Sequence, residues 1–321
     1  MGRYLLKRLG FAFVLVFVVS SAALLLARLA PGDFTVVQGE HLTAEQREEL
    51  RHSLGLDRSF TSQYFSWLGG AARFDFGCSM LYSRPVGELI GERALNTAVL
   101  ATAALLIATL IGIPLGVYSG TSTGLSRAIV KLISTIGISM PPLIASLALV
   151  FIAARTGWFP AGGMTSSTGI EMTWAQWIAD IARHLPMPAL ALAIPLAATL
   201  EKLQSEAIAS SAREPFVTAS RARGVTVSQS LLRHAWPVSL RPVLGLYGLM
   251  IGSLFSGSFA VEVVTSWPGL GRLMFEALKA RDLFLVAGCA AAGAFFLVAG
   301  TLIADLLLAW TDPRVTSGEG S

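Results

Sequence analysis

ALNTAVLATAALLIATLIGIPLGVYSGTSTGLS, residues 94–126, lies between Arg93 and Arg127 and runs for 33 residues without a charge. A helix crosses the hydrocarbon core of a bilayer with roughly 17–25 apolar residues, each advancing it about 1.5 Å. The run is long enough to raise the question of two helices. Gly112, Pro114 and Gly116 interrupt it, however. The spacing predicts one helix over about 95–118 and then a short polar turn, Ser119 to Ser126.

Reading outward between charged residues finds five further runs. Arg8 to Arg28 encloses 19 residues, Lys131 to Arg155 encloses 23, and Arg183 to Glu201 encloses 17. Arg241 to Glu262 encloses 20 and Asp282 to Asp305 encloses 22. The chain is therefore expected to be an all-α integral membrane protein with six transmembrane helices. Composition agrees: 54% of the 321 residues are hydrophobic and 14% charged, where soluble domains carry about 25% charge. Lipid must then face much of the surface. The net charge of +4 does not point to nucleic acid, because the basic residues fall in short clusters between apolar runs. Cys78 and Cys289 are too few for a disulfide framework, and Cys289 sits inside an apolar run.

The first run could belong to a cleaved signal peptide. Its apolar core is longer than a typical signal core, and Pro31 follows the Ala27 and Ala30 pair in a position poor for cleavage, so a retained helix is expected. Arg3, Lys7 and Arg8 then place the N-terminus in the cytoplasm, and six spans return the C-terminus there. Arg127 and Lys131 fall inside on this count, as do Lys202, Arg213, Arg221, Arg223 and Arg233; Arg272, Lys279 and Arg281 fall outside, against the rule. The expected parts are residues 1–29 for the N-terminus and first span, 30–94 for an outer segment, 95–311 for a five-helix core with a cytoplasmic loop at about 201–241, and 312–321 for a tail.

The outer segment reads as folded and helical. Thr43 with Gln46 forms a capping-box pattern opening a helix to Leu54, Gly55 can end it, and a second amphipathic stretch covers Phe60 to Leu68. It is either a packed cap on the membrane surface or a contact for a delivery protein. Trp174, Trp177, Ile178 and Ile181 recur at helical spacing, so Thr173 to Arg183 reads as an interfacial helix. In the loop 201–241, Pro215 suits the first turn of a short helix and Gly224 its end. Phe216, Val217, Ala219 and Ala222 lie on one side of it, with Arg221 and Arg223 nearby. Thr226 and Gln229 resemble a capping box for a second helix, Ser228 to Ala235, and Pro237 opens the next span. The half-apolar helix needs a cover, and either the membrane surface or a soluble partner supplies one.

These residues carry a resemblance. Glu214 through Gly224 to Pro237 is similar to the EAA loop of bacterial binding-protein-dependent ABC importers, with Thr218, Ala219 and Ser220 in the triplet position. The oligopeptide, dipeptide and nickel permease branch matches most closely, through EPFVTASRARG and Leu231 to Ala235. The order of further motifs extends the likeness over nearly the whole chain: Arg28 to Asp33, Leu54 to Asp57, Asp75 to Gly77, Gly157 to Gly163, Ser266 to Arg272, and Asp312 to Arg314. Pro215 stands where the branch usually has tyrosine, and the triplet lacks glutamate.

The resemblance implies an ABC importer type I permease fold. It also implies a second permease subunit in a heterodimer, two ATP-binding subunits that hold ATP and Mg, and an extracytoplasmic solute-binding protein, in a bacterial inner membrane. It assigns ATPase coupling to Glu214, Phe216, Thr218, Ala219, Ser220, Arg221, Arg223 and Gly224, and an outer lip to Glu262, Trp267, Pro268, Gly269, Gly271 and Arg272. For Gly224 the plainer role is a helix C-cap, and for Trp267-Pro268-Gly269 a rigid turn with an interfacial tryptophan. Asp305, near the end of the last run, takes either a structural hydrogen bond or a functional role. The chain has no GxxxxGK[S/T] phosphate loop, and His41, His52, His184 and His234 are scattered, so no catalytic residue, cofactor or metal is expected in it. Peptides are the expected cargo, with nickel or another small solute as the alternative. An ATPase-independent secondary transporter is the rival class, but no convincing internal repeat is present.

Overall fold

In the computed structural model, residues 2–38, 42–166 and 173–311 are described, the side chains of 2–7, 9, 256 and 304–311 apart. Their helices, in chain order, begin with α1 (Gly2–Leu29), α2 (Phe34–Gln38), α3 (Ala44–Ser53), α4 (Phe60–Ala71) and α5 (Val86–Thr121). There follow α6 (Leu125–Ile138), α7 (Pro142–Thr156), α8 (Trp174–His184), α9 (Pro186–Ser211) and α10 (Pro215–Ala222). The chain then forms α11 (Val227–Ser230), a π-helical turn at Leu231–Ala235, α12 (Trp236–Val264), α13 (Leu270–Ala280) and α14 (Leu283–Thr311). The side chain of Asp305 lies outside the described ones, and its expected role with it.

Four helical stretches are long and apolar enough to cross a membrane: Gly10–Leu29, Val86–Thr121, Val227–Phe255 and Leu283–Ile303. Counting each of two bent pairs as one span, α6 with α7 at 103° and α8 with α9 at 45°, gives up to six. The expected third span, Lys131 to Arg155, is thus a broken one. Pro141 is extended and Pro142 starts the second half, and a proline both lacks an N–H donor and excludes helix from the residue before it. Hydropathy sums side chains and does not see this backbone break. Two other boundaries move for a related reason. α5 starts at Val86, well before Ala94, and α9 runs on to Ser211, so 201–241 is not mostly loop. A charged residue ends an apolar run without ending the helix that carries it.

The chain divides into two compact units, one made of the chain to Ala98 with Pro268–Phe296, the other of Val99–Trp267 with the chain from Leu297 onward. In the first unit the outer segment is helical, as expected. Thr43 Oγ1 accepts the Gln46 N–H at 3.3 Å and Gln46 Oε1 accepts the Thr43 N–H at 3.0 Å, a complete capping box opening α3. α4 buries Trp67 with Leu24 of α1 and Ala287 of α14, beside Tyr64 and Phe284. Phe34 and Leu56 bury with Ala280 and Leu283. The segment packs on its own unit through Phe60, Tyr64 and Trp67 of α4, while Phe65 of the same helix is 67% exposed. Neither Cys78 nor Cys289 is in a disulfide.

Asp33 opens α2. Its Oδ1 accepts from Thr35 Oγ1 at 2.6 Å, Thr35 N–H at 3.1 Å and Val36 N–H at 3.3 Å, and Arg51 Nε stands 3.4 Å from Oδ2. Burial alone raises the carboxyl pKa; the Thr35 hydroxyl, the Val36 N–H, Arg51 and the Thr35 N–H together hold it below the usual 3.8. A depressed carboxyl pKa contributes stability that is complete above the unfolded value and is lost as pH falls through the folded one. Amide protection at Thr35 and Val36, corrected for intrinsic exchange, is therefore expected to be constant from neutral pH to about 5 and to drop below about 4. Asp33→Asn should flatten that profile; an unchanged profile would show that the carboxylate does not hold the turn.

In the second unit α9 packs against α6, α7, α8 and α12, and α12 also packs against α7. Ala189, Ala191 and Leu192 of α9 meet Leu100, Ala104, Ala145, Leu254, Val261 and Trp267 in the main core. α5 comes still closer through Gly112, Gly116 and Gly120. A Cβ on Gly116 would stand 2.7 Å from the Glu201 carbonyl oxygen and 2.6 Å from Gln204 Cβ. The sequence pattern treats Gly112 and Gly116 as interruptions; the helix runs through them, and they are its contact face. Small residues four apart let helix backbones touch in a membrane. α8 forms where the helical spacing predicts it, opens with a capping box of Thr173 and Gln176 not picked out from the sequence, and leaves Trp174 80% and Ile178 59% exposed.

Candidate functional site

The segment between α9 and α12 is built from local signals that agree. Glu214 is extended, and its carbonyl accepts from the N–H of Val217 at 3.0 Å and of Thr218 at 3.2 Å. Pro215 occupies the first turn of α10, where its missing N–H costs no bond. Gly224 ends the helix at φ +87, donating to the Arg221 carbonyl at 3.0 Å, while Val225 donates to Ser220 at 3.3 Å. This left-handed residue is why glycine stands here. Thr226 then caps α11, its hydroxyl accepting the Gln229 N–H at 3.4 Å.

What holds α10 in place is on one side only. Val217 is buried with Ile208 of α9 and Ala235 of the π-helical turn, beside Leu231. Ser220, wholly buried, shares a hydrogen bond with Ser230 of α11, and both hydroxyls reach the Val217 carbonyl, at 3.0 and 3.3 Å. Deeper, Gln204 Nε2 of α9 donates to Ser239 Oγ of α12 at 2.8 Å, and the buried Glu201 accepts from Ser119 Oγ of α5. α10 is thereby fastened to helices that run into the membrane. Glu201, a buried acid, was read from the sequence only as the end of a span. Its signal is the glycine spacing of α5, which brings Ser119 against it.

The residues expected to couple to an ATPase therefore divide. Glu214, Phe216, Thr218, Ala219, Arg223 and Gly224 are exposed, with Phe216 at 42%. A Cβ on Gly224 would meet nothing within 4 Å. Ser220 does not face out; it pins α10 to α11. Arg221 is exposed but borders a cavity together with Val217, on a side of the helix away from Phe216. The expected single apolar side, Phe216 with Val217, Ala219 and Ala222, is corrected accordingly. Val217 is core, and Phe216, Ala219 and Ala222 are uncovered. At about 100° per residue the sequence places Phe216 and Val217 in different directions.

The expected outer lip is mostly interior. Glu262, Trp267, Gly269 and Gly271 are buried, Pro268 and Arg272 are half-buried, and Ser266 alone among 262 and 266–272 is exposed. Trp267 is no interfacial tryptophan, since it packs in the core of the second unit with Leu100 and Leu192. A ring of that size gains most when wholly removed from solvent. Gly163 donates to the Thr265 carbonyl at 2.8 Å, which seats the Gly157–Gly163 motif on the same turn. In the first unit, Asn96 Nδ2 donates to the Pro268 carbonyl at 2.7 Å, and the Leu270 N–H to Thr97 Oγ1 at 2.8 Å. Arg272 Nε pairs with Glu276 at 3.0 Å, and Tyr82 donates to the other oxygen of Glu276 at 2.5 Å. Burial first, and then Glu276, push the Tyr82 hydroxyl up to about 12. Among the described residues, no three His, Cys, Asp or Glu side chains gather as a metal site would require.

Helices crossing a membrane, with a short helix presented from the connection between two of them, define a multi-pass permease-like protein. The chain belongs to the family described as "Binding-protein-dependent transport system inner membrane component", which matches residues 112–317. Residues 1–82 match the corresponding N-terminal family, "Binding-prot-dependent transport system membrane comp, N-term". It is 31% identical over 325 residues to an oligopeptide transport system permease protein of Bacillus subtilis, covering 98% of this chain and 99% of that one. A putative peptide transport system permease protein of Brucella abortus is 31% identical over 322 residues, with the same coverage. A dipeptide transport system permease protein of Lactococcus lactis is 31% identical over 319 residues, again covering 98% and 99%. The chain is thus a permease subunit of an ABC importer, a multi-pass inner-membrane protein that works with partner subunits and a binding protein. Its relatives are transport components and not enzymes.

Proposed function

We propose that this subunit forms a peptide translocation pathway with a second, non-identical permease subunit, and that two ATP-binding subunits holding ATP and Mg drive it through α10. Peptide cargo is supported by the relatives, which are named for oligopeptide, peptide and dipeptide transport. Both termini lie in the cytoplasm in this reading, which puts α10 on the ATPase side; the clustering of Arg213, Arg221, Arg223 and Arg233 there supports it.

The observation that carries the coupling role is the two-sidedness of α10. Val217 and Ser220 fasten it to α9, α11 and the π-helical turn, while Phe216, Ala219 and Arg223 are exposed among the described residues. A helix held this way moves as a rigid body with the helices behind it. Closure of the ATPase pair on ATP would push α10, and the tilt of α9 and α12 would switch the pathway between outward and inward access. Solute recognition would rest with the extracytoplasmic binding protein.

Phe216→Asp tests this. Removing an aromatic anchor at an interface centre costs about 2 kcal/mol or more, about thirty-fold in affinity. The variant should melt as wild type, because the side chain is half exposed, yet lose co-purifying ATPase and labelled-oligopeptide uptake. Retention of both would sink the coupling role of α10. Transport by the purified permease pair without any ATPase would instead favour the secondary-transporter class.

A further inference from the structure

We propose that the arginine-lined cavity behind α10 holds the phosphodiester headgroup of an anionic phospholipid. The cavity has a volume of about 250 Å³ and lies where the ends of α5 and α9 meet the start of α6, α10 and the π-helical turn. Arg127, Arg213 and Arg221 border it, Gly120, Val217 and Leu231 supply its small and apolar wall, and among the described residues no carboxylate lines it. None of the three guanidiniums makes an ion pair or a side-chain hydrogen bond among the described residues. Arg213 also borders a hollow with Glu206 and Glu214, without pairing with either.

Three unpaired guanidiniums around one hollow repel one another and call for an anion of more than point size. Arginine's planar fork suits the two free oxygens of a phosphodiester. Depth selects a lipid as its source. The cavity lies at the C-terminal end of Val86–Thr121, a helix apolar enough to span, as a headgroup site would. α6, which carries Arg127 in its first turn, buries Ser134 and Gly137 and leaves Leu125, Leu132 and Ile136 exposed at 77, 61 and 54%. Charge at one end and an uncovered apolar face along the same helix match the order of headgroup and acyl chain. Basic pockets between helices on the cytoplasmic side take anionic headgroups for this reason.

The ATPase is the competing occupant. Arg221 lies about 140° around the helix from Phe216, at about 100° per residue, so the cavity side and the proposed ATPase face of α10 are distinct. A lipid seated there would brace Arg221 and Val217, making the set of α10 depend on the acidity of the membrane. The regulatory consequence rests on the coupling role proposed above; the binding site does not.

The test is native mass spectrometry of the full chain released from phosphatidylcholine nanodiscs with and without phosphatidylglycerol. Nanodiscs expose both faces, so binding is read whether or not the coupling role holds. Wild type should retain phosphatidylglycerol over phosphatidylcholine. R127Q with R213Q should weaken phosphatidylglycerol about thirty-fold, about five-fold per arginine, and leave phosphatidylcholine unchanged. R127K with R213K, which keeps the charge, should retain most of the preference. A measurement free of substitutions stands beside these: salt should weaken phosphatidylglycerol retention by wild type and not phosphatidylcholine. Equal retention by wild type and the glutamine pair, or no effect of salt, overturns the proposal. Displacement by millimolar inorganic phosphate overturns it in favour of a free-anion site. Loss of co-purified ATPase with phosphatidylglycerol retention intact assigns the arginines to the ATPase instead.

Discussion

Gly116→Leu is expected to leave no folded permease that survives extraction into detergent, and Gly116→Ala to destabilise it by about 1–3 kcal/mol, the usual range for overpacking. The reason is backbone contact. A Cβ on Gly116 would fall 2.7 Å from the Glu201 carbonyl oxygen, one on Gly112 2.5 Å from that of Ala197, and one on Gly120 2.5 Å from that of Ser205. Backbone cannot swing aside as a long side chain can, so α5 and α9 would have to separate. Separation also pulls Ser119 from the buried Glu201 carboxylate, leaving that acid without a donor in a region of low dielectric, a further cost of several kcal/mol. Gly91, on the same helix with nothing within 4 Å of its Cβ position, is the control, and Gly91→Ala should be neutral or slightly stabilising. Thermal melting of the three variants decides the matter. A wild-type melt for Gly116→Leu would mean that α5 and α9 do not approach as closely as described.

Asp282→Ala is expected to cost about 3 kcal/mol or more and to loosen residues 79–82. Asp282 is fully buried, and its Oδ2 accepts from Ser79 Oγ at 2.6 Å and from the Leu81 N–H at 3.0 Å. Its Oδ1 accepts the Leu285 N–H at 3.2 Å in the first turn of α14. One carboxylate thus ties the end of the outer segment to the start of the last helix. Alanine orphans three donors, each costing about 1–3 kcal/mol when left buried. Amide exchange at Leu81 and Tyr82 should rise along with the drop in melting temperature. Unchanged exchange at Leu81 would show that Asp282 does not hold this loop.

Much of this was legible residue by residue. The capping box at Thr43 predicted the start of α3, the helical spacing of Trp174, Trp177, Ile178 and Ile181 predicted α8, and Pro215 with Gly224 bracketed α10, because these signals act within a turn or two of one helix. Span positions were legible for the same kind of reason, since an apolar run reports its own solvent. Boundaries drawn at charges failed at Val86 and Ser211, where the helix runs on past the charge that ends its apolar run. The break at Pro141 was in plain view as Pro141-Pro142, yet a hydropathy count averages across it. The site was half legible. The sequence marked the segment 214–224 but not its faces, because a single step of about 100° separates Val217 in the core from Phe216 in the open.

From the sequence alone came the membrane, the number of apolar runs, the helical outer segment and the 214–224 element opposite the spans. Each of these depends on interactions that are local, or on the solvent a stretch prefers. Tertiary structure alone decided which glycines were contacts and which were caps. It also decided that Trp267 is core and not an interfacial anchor, that Ser220 is a pin and not a docking residue, and that Arg127, Arg213 and Arg221 surround one cavity. Those outcomes depend on which helix lies opposite, between residues as far apart in sequence as Leu100 and Trp267, and no periodicity or spacing within one segment records its neighbour.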